Sequence, residues 1–178
     1  MTVKRRDVLI GASGAVAGIG SLLGSRAAVA SELKELAFHH IHTGEDLRLV
    51  YAEGGEPIDD ALAAIDYLLR DFRTGDVHPI DTNLLDILSA LYEQFDRRGS
   101  FEVISGYRTP KTNATLRTAS SGVAKKSLHL SGRAIDVRLT SASTADLREA
   151  AVAMASGGVG YYPKSDFAHI DTGRVRTW

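Results

Sequence analysis

Two histidines and an aspartate are spaced so that they can converge on one cation. His129 and Asp136 lie in Ser127-Leu128-His129-Leu130-Ser131-Gly132-Arg133-Ala134-Ile135-Asp136, and His169 lies in Asp166-Phe167-Ala168-His169-Ile170-Asp171. Two imidazole nitrogens and one carboxylate oxygen suit zinc, and three protein ligands leave a tetrahedral ion one position for water, which can ionise near neutral pH. Manganese or iron would tolerate the same donors. If the three side chains meet, hydrolysis is the expected chemistry. Cysteine is absent from the chain, so disulfides, thiolate ligands and a thiol nucleophile are excluded, and nitrogen and oxygen must do the ligation.

Hydrolysis of an amide also needs a base and a positive group for the developing oxyanion. Asp166, three residues ahead of His169, stands where a turn can aim its carboxylate at the open metal position. Asp171 competes for that role and otherwise steadies a histidine ring or an arginine. Arg108, in Ser105-Gly106-Tyr107-Arg108, leaves a strand at a turn, where its guanidinium can meet a carbonyl oxygen or a carboxylate with paired donors. Tyr107 and Ser127 are candidates for supporting or substrate contacts. His39, His40 and His42 fall on opposite strand faces, so at most two could share an ion; they read as polar strand positions.

The elements that must position these residues follow from periodicity. Leu36–His42 and Leu47–Tyr51 read as strands around Thr43-Gly44-Glu45-Asp46. Apolar residues at three- and four-residue steps predict helices over Ile58–Phe72 and from the N-cap Asp81 to Arg97-Arg98-Gly99. Phe101–Ser105 reads as a strand, and Thr109-Pro110 opens a short helix to about Leu116. Residues 117 to 126 read as a loop. Ala134–Leu139 alternates as a strand with Asp136 and Arg138 on one face. A helix follows over Thr144–Ala155, stopped by Gly157-Gly158, and then two strands, Val159–Tyr162 and Phe167–Asp171. His169 and Asp171 share a face of the second. The sum is α+β: one small domain with a mostly antiparallel sheet backed by helices.

Residues 1–30 read as an export signal of the twin-arginine type, with Lys4-Arg5-Arg6, a short Gly/Ala-rich apolar run and an Ala28-Val29-Ala30 cleavage site. Cleavage there leaves residues 31–178 as the folded domain, in the periplasm, with the export machinery as a transient partner and no stable membrane anchor. The leader holds four of the 21 basic residues and one of the 22 acidic ones, so the remainder is net negative, which excludes a basic nucleic-acid surface.

Ser127-x-His129-x-x-Gly132-x-Ala134-x-Asp136 with a later His169, together with Ser105-Gly106-Tyr107-Arg108, resembles the zinc peptidases of bacterial cell walls related to D-Ala-D-Ala carboxypeptidases. They form the lysostaphin, D-Ala-D-Ala and sonic hedgehog group. The closing stretch from Gly158-Val159-Gly160-Tyr161-Tyr162-Pro163 to Trp178 is similar to exported murein endopeptidases of the MepK (YcbK) type, from about Leu36 onward. The resemblance implies a hedgehog/DD-peptidase-like fold and one Zn²⁺ on His129, Asp136 and His169. It also implies Asp166 as base, Arg108 against the substrate, and cleavage of peptidoglycan cross-links or stem peptides. Many relatives carry a histidine two residues before the last ligand, where this chain has Phe167. The alternatives are a D-Ala-D-Ala carboxypeptidase or dipeptidase, and a zinc-containing wall-binding module without catalysis.

Overall fold

The computed structural model describes residues 32–119 and 122–178. The export segment read at residues 1–30 lies outside them. Among the described residues, eight strands form one sheet in the order β3-β2-β1-β4-β5-β7-β6-β8. β1 (Leu33–His40), β2 (Glu45–Glu53) and the short β3 (Glu56–Pro57) make an antiparallel meander, and β1 then pairs parallel with β4 (Phe101–Ser105). β4, β5 (Ala134–Leu139), β7 (Phe167–Asp171) and β6 (Gly158–Tyr162) are antiparallel neighbours, and β8 (Arg176–Thr177) pairs parallel with β6. This is the expected α+β architecture, a mostly antiparallel sheet with helices packed on it.

Alternation on the central strands divides two jobs. Ile135, Val137 and Leu139 of β5 and Ala168 and Ile170 of β7 are buried in the core. There they meet Leu147 and Ala151 of α4 (Thr144–Met154) and the leucines of α2 (Thr82–Gln94). Burying each aliphatic side chain contributes roughly 1.5–3 kcal/mol. The alternate positions, Asp136 and His169, are thereby held on the opposite face.

Several element ends differ from the sequence reading. α1 spans Asp59–Leu68, short of Phe72. The Leu69 carbonyl accepts the Tyr107 amide at 2.8 Å, and Asp71 takes the chain into a turn by accepting the Arg73 amide on its side chain and the Gly75 amide on its carbonyl. α2 starts as expected, with Asp81 accepting from the Asn83 amide, but stops at Gln94, because Asp96 and Arg97 adopt positive φ before Gly99 is reached. α3 runs Pro110–Ala119, so part of the expected loop is helical. α4 ends at Met154, capped by Ala155 in a left-handed conformation two residues before the first of the glycines. Two-residue strands such as β3 and β8 carry too little alternation to be read in advance.

Candidate metal centre

β5 and β7 set two of the three candidate ligands by register alone. Asp136 and His169 are directly opposite one another in the antiparallel ladder, a spacing at which facing side chains touch. The His169 Nδ1 lies 2.8 Å from Asp136 Oδ1. His129 comes from a single 3₁₀ turn, Leu128–Ser131, closed by Gly132. This glycine has φ +64°, and a Cβ there would meet the Pro79 carbonyl oxygen at 2.3 Å, so both backbone shape and space require glycine. The turn is fixed from behind, because the Gly132 carbonyl accepts the amide of Asp81, which caps α2.

The resulting group brings one atom of each of His129, Asp136 and His169 to within 4.8 Å of the others. His129 Nδ1 lies 2.7 Å from the Gly106 carbonyl. A carbonyl can only accept, so that nitrogen carries the proton and Nε2 presents a lone pair to the cluster, 3.3 Å from Asp136 Oδ1. His169 shows Nδ1 to the cluster and places Nε2 3.0 Å from Asp171 Oδ2. Asp171 is fully buried and also receives both Arg176 terminal nitrogens and the amides of Gly158 and Gly173. A carboxylate behind a histidine that faces a cation fixes its tautomer and raises its basicity.

Charge favours a cation at this point. Burial keeps His129 below its ordinary pKa, hence neutral. Burial would push Asp136 up, but His129 and His169 hold it well below the usual carboxylate range. Burial also opposes protonation of His169, yet Asp136 and Asp171 outweigh it and raise the ring to about 8. A buried anion shared by two imidazoles, with their outer nitrogens engaged elsewhere, is a donor set that fits zinc.

Arg108 joins this group. Its Nε donates to Ser105 Oγ at 2.8 Å and one terminal nitrogen donates to Asp136 Oδ2. The β4–β5 ladder has an irregularity between Val103 and Ser105 that sets Ser105 opposite Asp136, and such bulges re-aim side chains. The other terminal nitrogen, Nη1, has no protein partner among the described residues. The cavity beside the cluster measures about 530 Å³, and its lining includes Arg108, Lys126, Ser127, His129, Asp136 and His169.

Asp166 is not brought to the cluster. It turns the chain at φ 50°, and its carboxylate accepts the Thr144 hydroxyl at 2.6 Å and lies 3.5 Å from Arg138. Thr144 opens α4, so this bond ties the carboxylate to that helix, and Asp166 is not among the residues that line the cavity. Asp171 lines the cavity and stands behind His169. Tyr107 stacks on His78 with centroids 4.7 Å apart and does not line the cavity, whereas Ser127 does. His39 pairs with Asp46, and His42 stacks on Phe72. Among the described residues, the one group of three or more potential metal ligands is His129, Asp136 and His169.

Two contributors, Asp71 and Arg176, escape a reading of the sequence, whereas Trp178, which reads there as a packing or cleft-wall residue, lines the cavity. Asp71, 1 % exposed, accepts both the amide and the hydroxyl of Thr109, so it holds the residue after Arg108. The only prior sign of it is the turn-prone Asp71-Phe72-Arg73-Thr74-Gly75 run. Arg176 pairs with Asp171, and Trp178 sits 5.3 Å from the His169 ring and donates Nε1 to Tyr162 Oη. Trp178 can approach because position 160 is glycine, where a Cβ would meet the indole at 2.7 Å.

Residues 28–178 match the family model described as Peptidoglycan L,D-endopeptidase MepK. The "Peptidoglycan L,D-endopeptidase MepK" of Escherichia coli (strain K12) is 41 % identical over 143 residues, covering 80 % of this chain and 79 % of the relative. The "Probable peptidoglycan L,D-endopeptidase MepK" of Haemophilus influenzae is 42 % identical over 180 residues, covering 98 % and 95 %. With the sheet, the buried donor set and these similarities together, the chain belongs to the MepK family of peptidoglycan endopeptidases.

Proposed function

We propose that this protein is a zinc-dependent endopeptidase that hydrolyses peptide bonds in bacterial peptidoglycan, acting in the periplasm after export through the residue 1–30 leader. The observation that carries the reading is the buried His129–Asp136–His169 group opening onto a cavity beside Arg108, in a chain of the endopeptidase family. His129, Asp136 and His169 would hold the metal. A zinc ion in that place activates water and polarises the scissile carbonyl.

The chain's own residues supply the rest. Gly106 and Asp171 fix the orientation of the two rings. Arg108 is pinned on two of its nitrogens and offers Nη1 to the oxygen that gains charge when the carbonyl is attacked. Trp178 and Tyr162 are part of the cavity wall. Asp136 and Asp171, the acidic residues that line the cavity among the described residues, are both committed to partners. Asp166, whose carboxylate is held by the Thr144 hydroxyl, is not assigned the role of base.

Incubation with isolated cross-linked muropeptide dimers and, separately, with D-Ala-D-Ala dipeptides tests the reading. An endopeptidase converts dimers to monomers and leaves the dipeptide intact. Release of terminal D-alanine alone would replace it with a carboxypeptidase, and turnover of neither substrate with zinc bound would favour a wall-binding module.

A further inference from the structure

The cavity's fixed charges do not balance. Arg108 faces Asp136 and Arg176 faces Asp171, each within hydrogen-bonding distance, so these four cancel in pairs. Lys126 also lines the cavity but has no carboxylate or hydrogen-bond partner among the described residues, and a divalent cation would add to its sign. The lining also includes an aromatic group, with Tyr162 and Phe167 stacked at 4.5 Å and the Trp178 indole bonded to the Tyr162 hydroxyl. A ligand that matches this polarity presents an anion to Lys126 and aliphatic surface to the aromatic group.

The position of Lys126 is tied to the metal cluster. It precedes His129 by three residues, which span at most about 10 Å of extended chain. The intervening Ser127 enters the 3₁₀ turn that carries the ligand, and the Ala124 carbonyl is held by Asn113 of α3. Lys126 and the three residues of the cluster line the same cavity. In a peptide bond between an L acyl group and a D amine, the carbon that bears the amine also carries a carboxyl group. When that carboxyl is free, an anion stands one carbon from the scissile nitrogen.

We infer that Lys126 is a specificity-determining residue that recognises a free carboxylate on the amine-side residue of the cleaved bond and selects it over the corresponding carboxamide. This rests on the endopeptidase reading above. An exposed ion pair of this kind supports a preference of about fivefold.

The test uses two synthetic cross-linked peptides that differ only in carboxylate against carboxamide at that position, and the full-length zinc-loaded protein. The ratio of kcat/KM for acid over amide is measured for the wild type, Lys126→Met and Lys126→Arg. Calorimetric affinities for the two cleaved amine-side products give a second readout that needs no turnover. The wild type should favour the acid about fivefold in both measurements, the Met variant should bring the ratios close to one, and the Arg variant should restore them. Equal handling of acid and amide by the wild type, or a preference that survives in the Met variant, would overturn the inference. If no peptide is cut, the endopeptidase reading fails, and the product affinities still decide whether Lys126 reads the carboxylate.

Discussion

The two sides of the cavity are built differently. On one side, Asp136 and His169 are fixed by the β5–β7 ladder, and His129 by a turn anchored to the cap of α2. On the other, the stretch from Gly122 to Ser127 carries Lys126 without regular structure, its backbone held to α3 through Asn113 and Ala124. The ladder side is held by strand register and a glycine-closed turn, the kind of rigid support a metal centre would require. The loop side can change residues without moving the ligands, which is where selectivity between similar substrates is expected to reside.

The sharpest test of this contrast is removal of a ligand. His129→Ala should abolish tight zinc binding, measured as metal content after dialysis, and with it hydrolysis, while Lys126→Met keeps its zinc. Retention of stoichiometric zinc by the His129 variant would break the contrast at its root. Arg108→Met should come next, with turnover falling by about 10²–10³ and zinc content unchanged, and Arg108→Lys recovering part of the loss. Steady-state rates on dimeric muropeptides together with metal analysis check both.

Asp71 extends the rigid side beyond the ligands. Asp71→Ala leaves the Thr109 amide and hydroxyl without their acceptor and should cost about 1–3 kcal/mol in chemical denaturation, with weaker turnover because the segment bearing Arg108 loosens. Burial raises the Asp71 pKa, but hydrogen bonds from Thr112, Thr109 and Arg73 outweigh it and leave the carboxyl below its ordinary 3.8. Its stabilising contribution is therefore complete above pH 3.8 and lost as pH falls through the lower folded value. Asp71→Asn should show a flatter loss of stability below that pH than the wild type. The smallest effect is expected for Asp166→Asn. Its side chain is 64 % exposed and tied to Thr144 and Arg138, so stability should shift by about 0.5 kcal/mol or less and turnover should stay close to the wild type. A severe loss of turnover with zinc retained would return Asp166 to the role of base.

What the sequence discloses follows the same division. Strand alternation places Asp136 and His169 correctly because period-two patterning is a local property of β5 and β7, and Gly132 marks the turn before β5. The Asp81 cap is likewise local, since its side chain bonds an amide two residues on. Proximity along the chain to His169 says nothing of Thr144, 22 residues away, whose hydroxyl the Asp166 carboxylate accepts. Asp71 and Thr109 are 38 residues apart, and no periodicity links them. Trp178 reaches His169 only because β8 pairs with β6 across Gly160, a contact made by tertiary packing that a two-residue strand does not announce.

The central claim is that hydrolysis depends on one cation gripped by His129, Asp136 and His169. Cleavage of cross-linked muropeptides before demetallation, after it, and after return of one equivalent of zinc tests this most directly. The account predicts full activity, none, and recovery in that order; hydrolysis that persists in the completely metal-free protein would contradict it.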